Sequence, residues 1–130
     1  MLEPIFSIAE VAEITGLSQD TLRYYEKIKL LPSTKRKENG QREYSKLDLD
    51  RVRFVTILRR THMPLRKINE YMNNSSIKNY EECYSLLNEH KTLIETQMAE
   101  MATTLDILKH KLKNFEELKE GNFLDAEYDK

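Results

Sequence analysis

Apolar residues recur at helical spacing through most of the chain, and polar capping residues mark where each run begins. Ile8, Val11, Ala12 and Ile14 form one face of a short helix. Ser7 and Glu10 precede and open it as a capping box, and Gly16 closes it in the position that favours left-handed backbone. A second short helix starts at the N-cap Ser18 and runs through Thr-Leu-Arg-Tyr-Tyr-Glu (21–26), with Leu22 as its inward anchor. Its outer face carries Thr21, Arg23, Tyr24 and Tyr25, which are hydrogen-bond donors and flat rings suited to phosphates and base edges. Two capped helices joined by a glycine turn predict a helix-turn-helix, with the second helix as the reader.

Leu30-Leu31-Pro32 ends the helical pattern and turns the chain. Asn39-Gly40, between short segments rich in Lys35, Arg36, Lys37 and Arg42, predicts a β-hairpin. A basic hairpin beside a helix-turn-helix is a wing whose cations reach phosphates or the minor groove; the alternative is a structural hairpin with solvated charges. Ser45 and Asp48 cap a third helix whose apolar stripe is Leu47, Val52, Val55 and Leu58, widened by Phe54 and Ile57. Arg59 and Arg60 end it, either as cations at the negative helix end or with one of them holding a phosphate. Pro64 is expected at the first position of a fourth helix, Leu65 to about Met72, followed by Asn73-Asn-Ser-Ser76 as linker.

From about Glu81 to Lys119 the pattern changes to a heptad-like seam. Tyr84, Leu87, Ile94, Met98, Met101, Leu105, Leu108, Leu112 and Phe115 alternate at spacings of three and four, interrupted only by Lys91. A helix of about 40 residues spans roughly 60 Å, too long to lie along a domain of about 70 residues. No second long helix exists in the chain, so the expected partner is another copy; a single amphipathic helix lying on the N-terminal domain is the alternative. Heptads alone leave parallel and antiparallel order open. The domain reading is therefore 1–75 for the DNA-binding domain, 78–119 for the dimerisation helix and 120–130 for a frayed acidic tail.

Charge sharpens this division. Net charge is −1, yet residues 1–70 hold 14 Lys/Arg against 10 Asp/Glu, while residues 71–130 hold 7 against 12. Within 18–67 the count is 14 against 6, the mark of a polyanion-binding front half. A third of the residues are charged and 39% are hydrophobic. No apolar run approaches the roughly 18 residues of a membrane helix, and the start has no signal-peptide pattern, so a cytoplasmic protein without membrane contact is expected.

The strings Ser-Ile-Ala-Glu-Val-Ala (7–12), Thr-Gly-Leu-Ser (15–18), Thr-Leu-Arg-Tyr-Tyr-Glu (21–26), Leu-Leu-Pro (30–32), Asn-Gly-Gln-Arg-Glu-Tyr (39–44) and Asp-Leu (48–49) resemble the MerR family of bacterial transcription regulators. The resemblance implies a mainly α fold: a winged helix-turn-helix with a small β-hairpin wing, then a long helix forming an antiparallel coiled-coil dimer. It implies a homodimer that binds an inverted repeat in double-stranded promoter DNA. The dimer would bend and untwist the spacer in response to an effector, so that RNA polymerase is engaged indirectly through the promoter. Carried over residue by residue, Arg23 resembles the reading-helix arginine and Tyr24 its neighbouring aromatic, with Ser18 and Thr21 as phosphate or groove contacts. Arg42 resembles the wing arginine and Tyr44 the aromatic at the wing's base; Tyr25 is placed partly in the core. Arg36 and Arg60 complete the DNA-binding set. Gln41 stands where the family often has Tyr, which alters one packing contact of the wing. The dimer seam is Leu87, Ile94, Met98, Met101, Leu105, Leu108, Leu112 and Phe115.

Effector chemistry is constrained by what the chain lacks. Cys83 is the single cysteine, so neither an intramolecular disulfide nor a thiolate cage forms within one chain, and no metal site or cofactor is expected. Cys83 remains a candidate redox switch, although no Lys or Arg lies within four residues and Glu81 and Glu82 are its neighbours. His90 and His110 lie about 30 Å apart along one helix and cannot share an ion there. A small-molecule effector would need a small site, for which Tyr71, Tyr80 and Tyr84 are candidates. No catalytic constellation or phosphate loop appears, so an enzyme is not expected. An architectural or recombination accessory protein with the same module and no effector response is the competing reading; a coiled-coil module binding acidic proteins is a third.

Overall fold

The computed structural model describes residues 4–31 and 40–123, with the backbone of 35–36. The chain divides into two compact units, Met1–Leu87 and Asn88–Lys130. In the first unit the order is β1 (Ile5–Ser7), α1 (Ile8–Thr15), α2 (Gln19–Lys27), β2 (Lys35–Arg36), β3 (Arg42–Ser45), α3 (Lys46–Arg60) and α4 (Leu65–Ser76). The helix α5 (Tyr80–Lys113) starts in this unit and runs into the second, which also holds α6 (Phe115–Lys119).

The capping chemistry read from the sequence is present. Ser7 Oγ accepts from the Glu10 amide and the Glu10 carboxylate accepts from the Ser7 amide; Ser45 and Asp48 do the same for α3. Gly16 closes α1 at φ 78°, a conformation in which a side chain is strained. Three more helices end in the left-handed region without glycine, at Lys29, His62 and Lys78. Each makes the paired bonds of a Schellman motif, as when the His62 amide donates to Arg59 O and the Met63 amide to Leu58 O.

β3 is the centre of a three-stranded antiparallel sheet, order β1-β3-β2. Its register sets Phe6 opposite Tyr44 and Arg36 opposite Arg42. The hairpin thus forms as Asn39-Gly40 predicts, with Gly40 at φ 82°; Asn39 and the rest of the turn before Gly40 lie outside the described residues. The strand β1 has no counterpart in the sequence reading, because three residues are too few to show a two-residue period. The core joins Val11 of α1, Leu22 and Tyr25 of α2, and Leu30, Leu31 and Tyr44 to the α3 face Leu49, Val52, Val55 and Leu58. Met63 and Ile68 complete it.

Several expectations are corrected by this packing. Leu47 is 58% exposed and Leu49 takes its place inside. The two lie about 200° apart on the helix, so one alone can face the core, and Leu49 continues toward Val52 and Val55. Ile57 and Ile14 are likewise exposed. Pro64 is the N-cap of α4, outside its first turn, and its carbonyl accepts from the Lys67 and Ile68 amides. Asn73–Ser76 is helical, since Asn74 Nδ2 donates to Glu70 O and Ser76 Oγ to Asn73 O. These polar side chains satisfy helix carbonyls and do not break the helix. The long helix stops at Asn114, whose φ of −110° and ψ of 43° separate α5 from α6. Leu87, expected in the dimer seam, is half-buried and packs on the core of the first unit. The later seam residues Met98, Met101, Leu105, Leu108, Leu112 and Phe115 are exposed, while Ile94 is half-buried. The end of the chain after residue 123 lies outside the described residues.

Candidate nucleic-acid interface

The reading helix is anchored by Leu22 and Tyr25, both buried, which turns Arg23 and the half-exposed Tyr24 outward. Tyr25 therefore belongs to the core, with its ring centroid 6.4 Å from that of Tyr24. Ser18 Oγ accepts from the Thr21 amide at 3.0 Å and lies 2.8 Å from Thr21 Oγ1. The two hydroxyls expected to meet DNA thus also lock the first turn of α2. Arg23 donates to Asp20 Oδ1 at 3.0 Å and to Gln19 Oε1 at 3.3 Å. This ion pair is open to solvent, with Asp20 94% exposed, and such pairs contribute only about 0–1 kcal/mol. Arg23 is therefore released from Asp20 at little cost.

Arg42 behaves differently. Its Nε donates to Glu26 Oε2 across 16 residues of sequence, and both side chains are largely shielded. Beneath them Tyr44, at 1% exposure, is fixed in the core, and its hydroxyl has no hydrogen-bond partner among the described residues. Burial raises the Tyr44 phenol above its ordinary 10.0; the Glu26 carboxylate adds to this and the Arg42 guanidinium opposes it. Tyr44 was expected as a DNA contact, and that expectation is corrected: a fully buried ring supports the wing from inside and cannot meet a phosphate.

Arg23 and Arg42 converge on one cleft of about 480 Å³, between the first turn of α1, the first turn of α2 and the wing. Ser7 and Ile8 line its α1 side and Gln41 its wing side. Two arginines at the rim of one opening are donors of the kind that meets a phosphate backbone. The side chain of Arg36 lies outside the described residues. At the end of α3, Arg59 Nη1 donates to Met63 O at 2.8 Å, and both Arg59 and its neighbour Arg60 are exposed. The sequence reading missed Glu26 and Gln19 as partners of the two arginines. Glu26 sits within the quoted Thr-Leu-Arg-Tyr-Tyr-Glu string, but its link to Arg42 depends on how the wing folds back.

Cys83 is buried, and its thiol donates to Tyr71 O at 3.8 Å. The Tyr71 phenol is raised above 10.0 by burial and then by Cys83, and its ring packs on Phe54. Tyr80 and Tyr84, proposed from sequence to line an effector site with Tyr71, are exposed. His110 Nε2 lies 3.2 Å from Asn114 Nδ2, beside the break that ends α5. Among the described residues no cluster of metal-binding side chains forms, and no helix is long and apolar enough to cross a membrane.

Capped helix-turn-helix, central strand β3 and basic wing define a winged helix-turn-helix DNA-binding protein. The model for the MerR HTH family of regulatory proteins matches residues 6–75, and the chain belongs to that family of DNA-binding transcription regulators, which are not enzymes. An uncharacterized HTH-type transcriptional regulator of Bacillus subtilis, YyaN, is 34% identical over 85% of this chain and 91% of its own. A MerR family regulator lacking the sensor domain, HiNmlR, solved bound to promoter DNA, superposes with a TM-score of 0.79. It is 32% identical, with 89% of each chain covered. A MerR family structure from Listeria monocytogenes described as a putative regulator has a TM-score of 0.78 at 30% identity, covering 90% of this chain and 96% of its own.

Proposed function

We propose that two copies of this chain bind an inverted repeat in promoter DNA and bend and untwist the spacer, and that an effector sets the extent of this distortion. The convergence of Arg23 and Arg42 on one cleft carries the reading. Arg23 and Tyr24 read the major groove; Ser18, Thr21, Arg36, Arg42 and Arg60 hold backbone phosphates. The exposed apolar row from Met98 to Phe115 supports a seam between copies; its antiparallel order is what the family resemblance implies. Two half-sites then lie on one face of the duplex, and the energy of deforming the spacer is offset by phosphate contacts from both subunits. The working division is a DNA-binding domain over 1–75, a dimerisation helix over 78–119 and a tail over 120–130. The protein acts in the cytoplasm and reaches RNA polymerase through the promoter.

Transcription separates this from an architectural role. On a template carrying the repeat between −35 and −10 elements, added protein changes transcript yield from that promoter and not from one with a scrambled repeat. DNA bending with unchanged transcript yield, in the presence and absence of cell-extract small molecules, would support the architectural reading.

A further inference from the structure

Glu26 is a carboxylate on the last turn of the reading helix, where the helix dipole disfavours negative charge. Through Arg42 it also lies next to the cleft that the DNA-binding reading assigns to a polyanion, where an acidic group weakens binding. Neither helix stability nor charge complementarity accounts for it, whereas its bond to Arg42 does. Arg42 opens β3 opposite Arg36 of the two-residue strand β2 and beyond the pairing with β1, so little backbone structure surrounds it at the wing end of the sheet. The shielded Glu26–Arg42 pair joins the wing to α2, and Arg42 at the same time lines the cleft with Arg23.

We propose that Glu26 is a positioning residue for DNA binding: by holding Arg42 Nε, it aims the rest of the guanidinium into the cleft and fixes the wing relative to the reading helix. The inference rests on the DNA-binding reading above. A planar guanidinium meets a carboxylate on one edge and a phosphate on the other, which an ammonium on a flexible stem does not reproduce.

The sign of one substitution tests this. Glu26→Gln removes a negative charge from beside the cleft, and charge alone would tighten binding. Positioning predicts the reverse, an operator affinity weaker by about tenfold. The slope of log affinity against log salt should also fall by about one phosphate contact, as it does in Arg42→Ala, although no cation has been removed. In the Arg42→Ala background, Glu26→Gln should cost less than it does alone. A slope shift and non-additivity are not effects of mere destabilisation, and thermal melts keep the assay below unfolding. Where Glu26→Gln does not fold, Arg42→Lys serves: positive charge is retained, yet affinity and slope should fall as in Arg42→Ala. Unchanged or tighter binding by Glu26→Gln, additive losses, or an Arg42→Lys protein equal to wild type would overturn the role of Glu26. Wild-type protein that binds no operator would instead overturn the underlying DNA-binding reading.

Discussion

Leu105 lies 54% exposed on α5 and outside the core of the first unit. Full burial of a leucine side chain stabilises by about 1.5–3 kcal/mol, so roughly half of that remains available at a helix–helix seam. A two-fold dimer contains the position twice, which restores the total to about 1.5–3 kcal/mol per dimer. Leu105→Ala should therefore weaken dimerisation by about 10- to 100-fold. Leu105→Asp, which adds a charge without a partner in the seam, should abolish the dimer at micromolar concentration. Sedimentation velocity across a dilution series measures both, with Asp106→Ala as a control on the adjacent position. Helical content by circular dichroism and the melting of the first unit should be retained, since that unit's core excludes Leu105. A dimer constant for Leu105→Ala within threefold of wild type, or an intact Leu105→Asp dimer, would refute the seam.

Three further outcomes follow from named contacts. Arg23→Ala gives up a solvated ion pair to Asp20 and an exposed hydrogen bond to Gln19, so its fold should be unchanged, while discrimination between operator and scrambled DNA falls by about 1–3 kcal/mol in competition binding; unchanged discrimination removes Arg23 from base reading. Tyr44→Phe removes a buried hydroxyl without a partner among the described residues, so stability at neutral pH should stay equal or rise by about 1 kcal/mol in urea melts. Because the folded-state phenol is raised above 10.0, the unfolded chain loses its proton first; stability is retained below pH 10 and lost as pH rises above it, and Tyr44→Phe should blunt that alkaline loss, an equal loss in both proteins excluding Tyr44 as its source. His62→Gly relieves a left-handed residue at φ 64°, and should add about 0.5–1 kcal/mol and raise Tm by about 2–4 °C; a lower Tm would show that the imidazole itself stabilises the turn.

The elements legible in the sequence were those specified by neighbours. Ser7 with Glu10, Ser45 with Asp48 and Gly16 each act within one helical turn, so their residue types announce the cap. The apolar row of α5 was legible because its period persists over many turns. What the sequence hid depends on distant pairing. Leu47 and Leu49 are equally apolar, and only the packing of α3 against the rest of the core separates them. Asn73–Ser76 has the composition of a linker, yet its side chains bond to helix carbonyls. At the interface the same limit applies. The outward face of α2 could be read from its period, but the burial of Tyr44 and the partner of Arg42 require β3 to lie beneath Glu26.

The central claim is that a dimer of this chain grips two half-sites and distorts the DNA between them. The most direct measurement is a nuclease footprint of the purified protein on the DNA upstream of its own gene, with excess competitor DNA at physiological salt. The account predicts a protected inverted repeat, hypersensitive at its centre, lying between −35 and −10 elements. Protection of a single half-site with no central distortion, or protection that competitor DNA of any sequence removes, would contradict it.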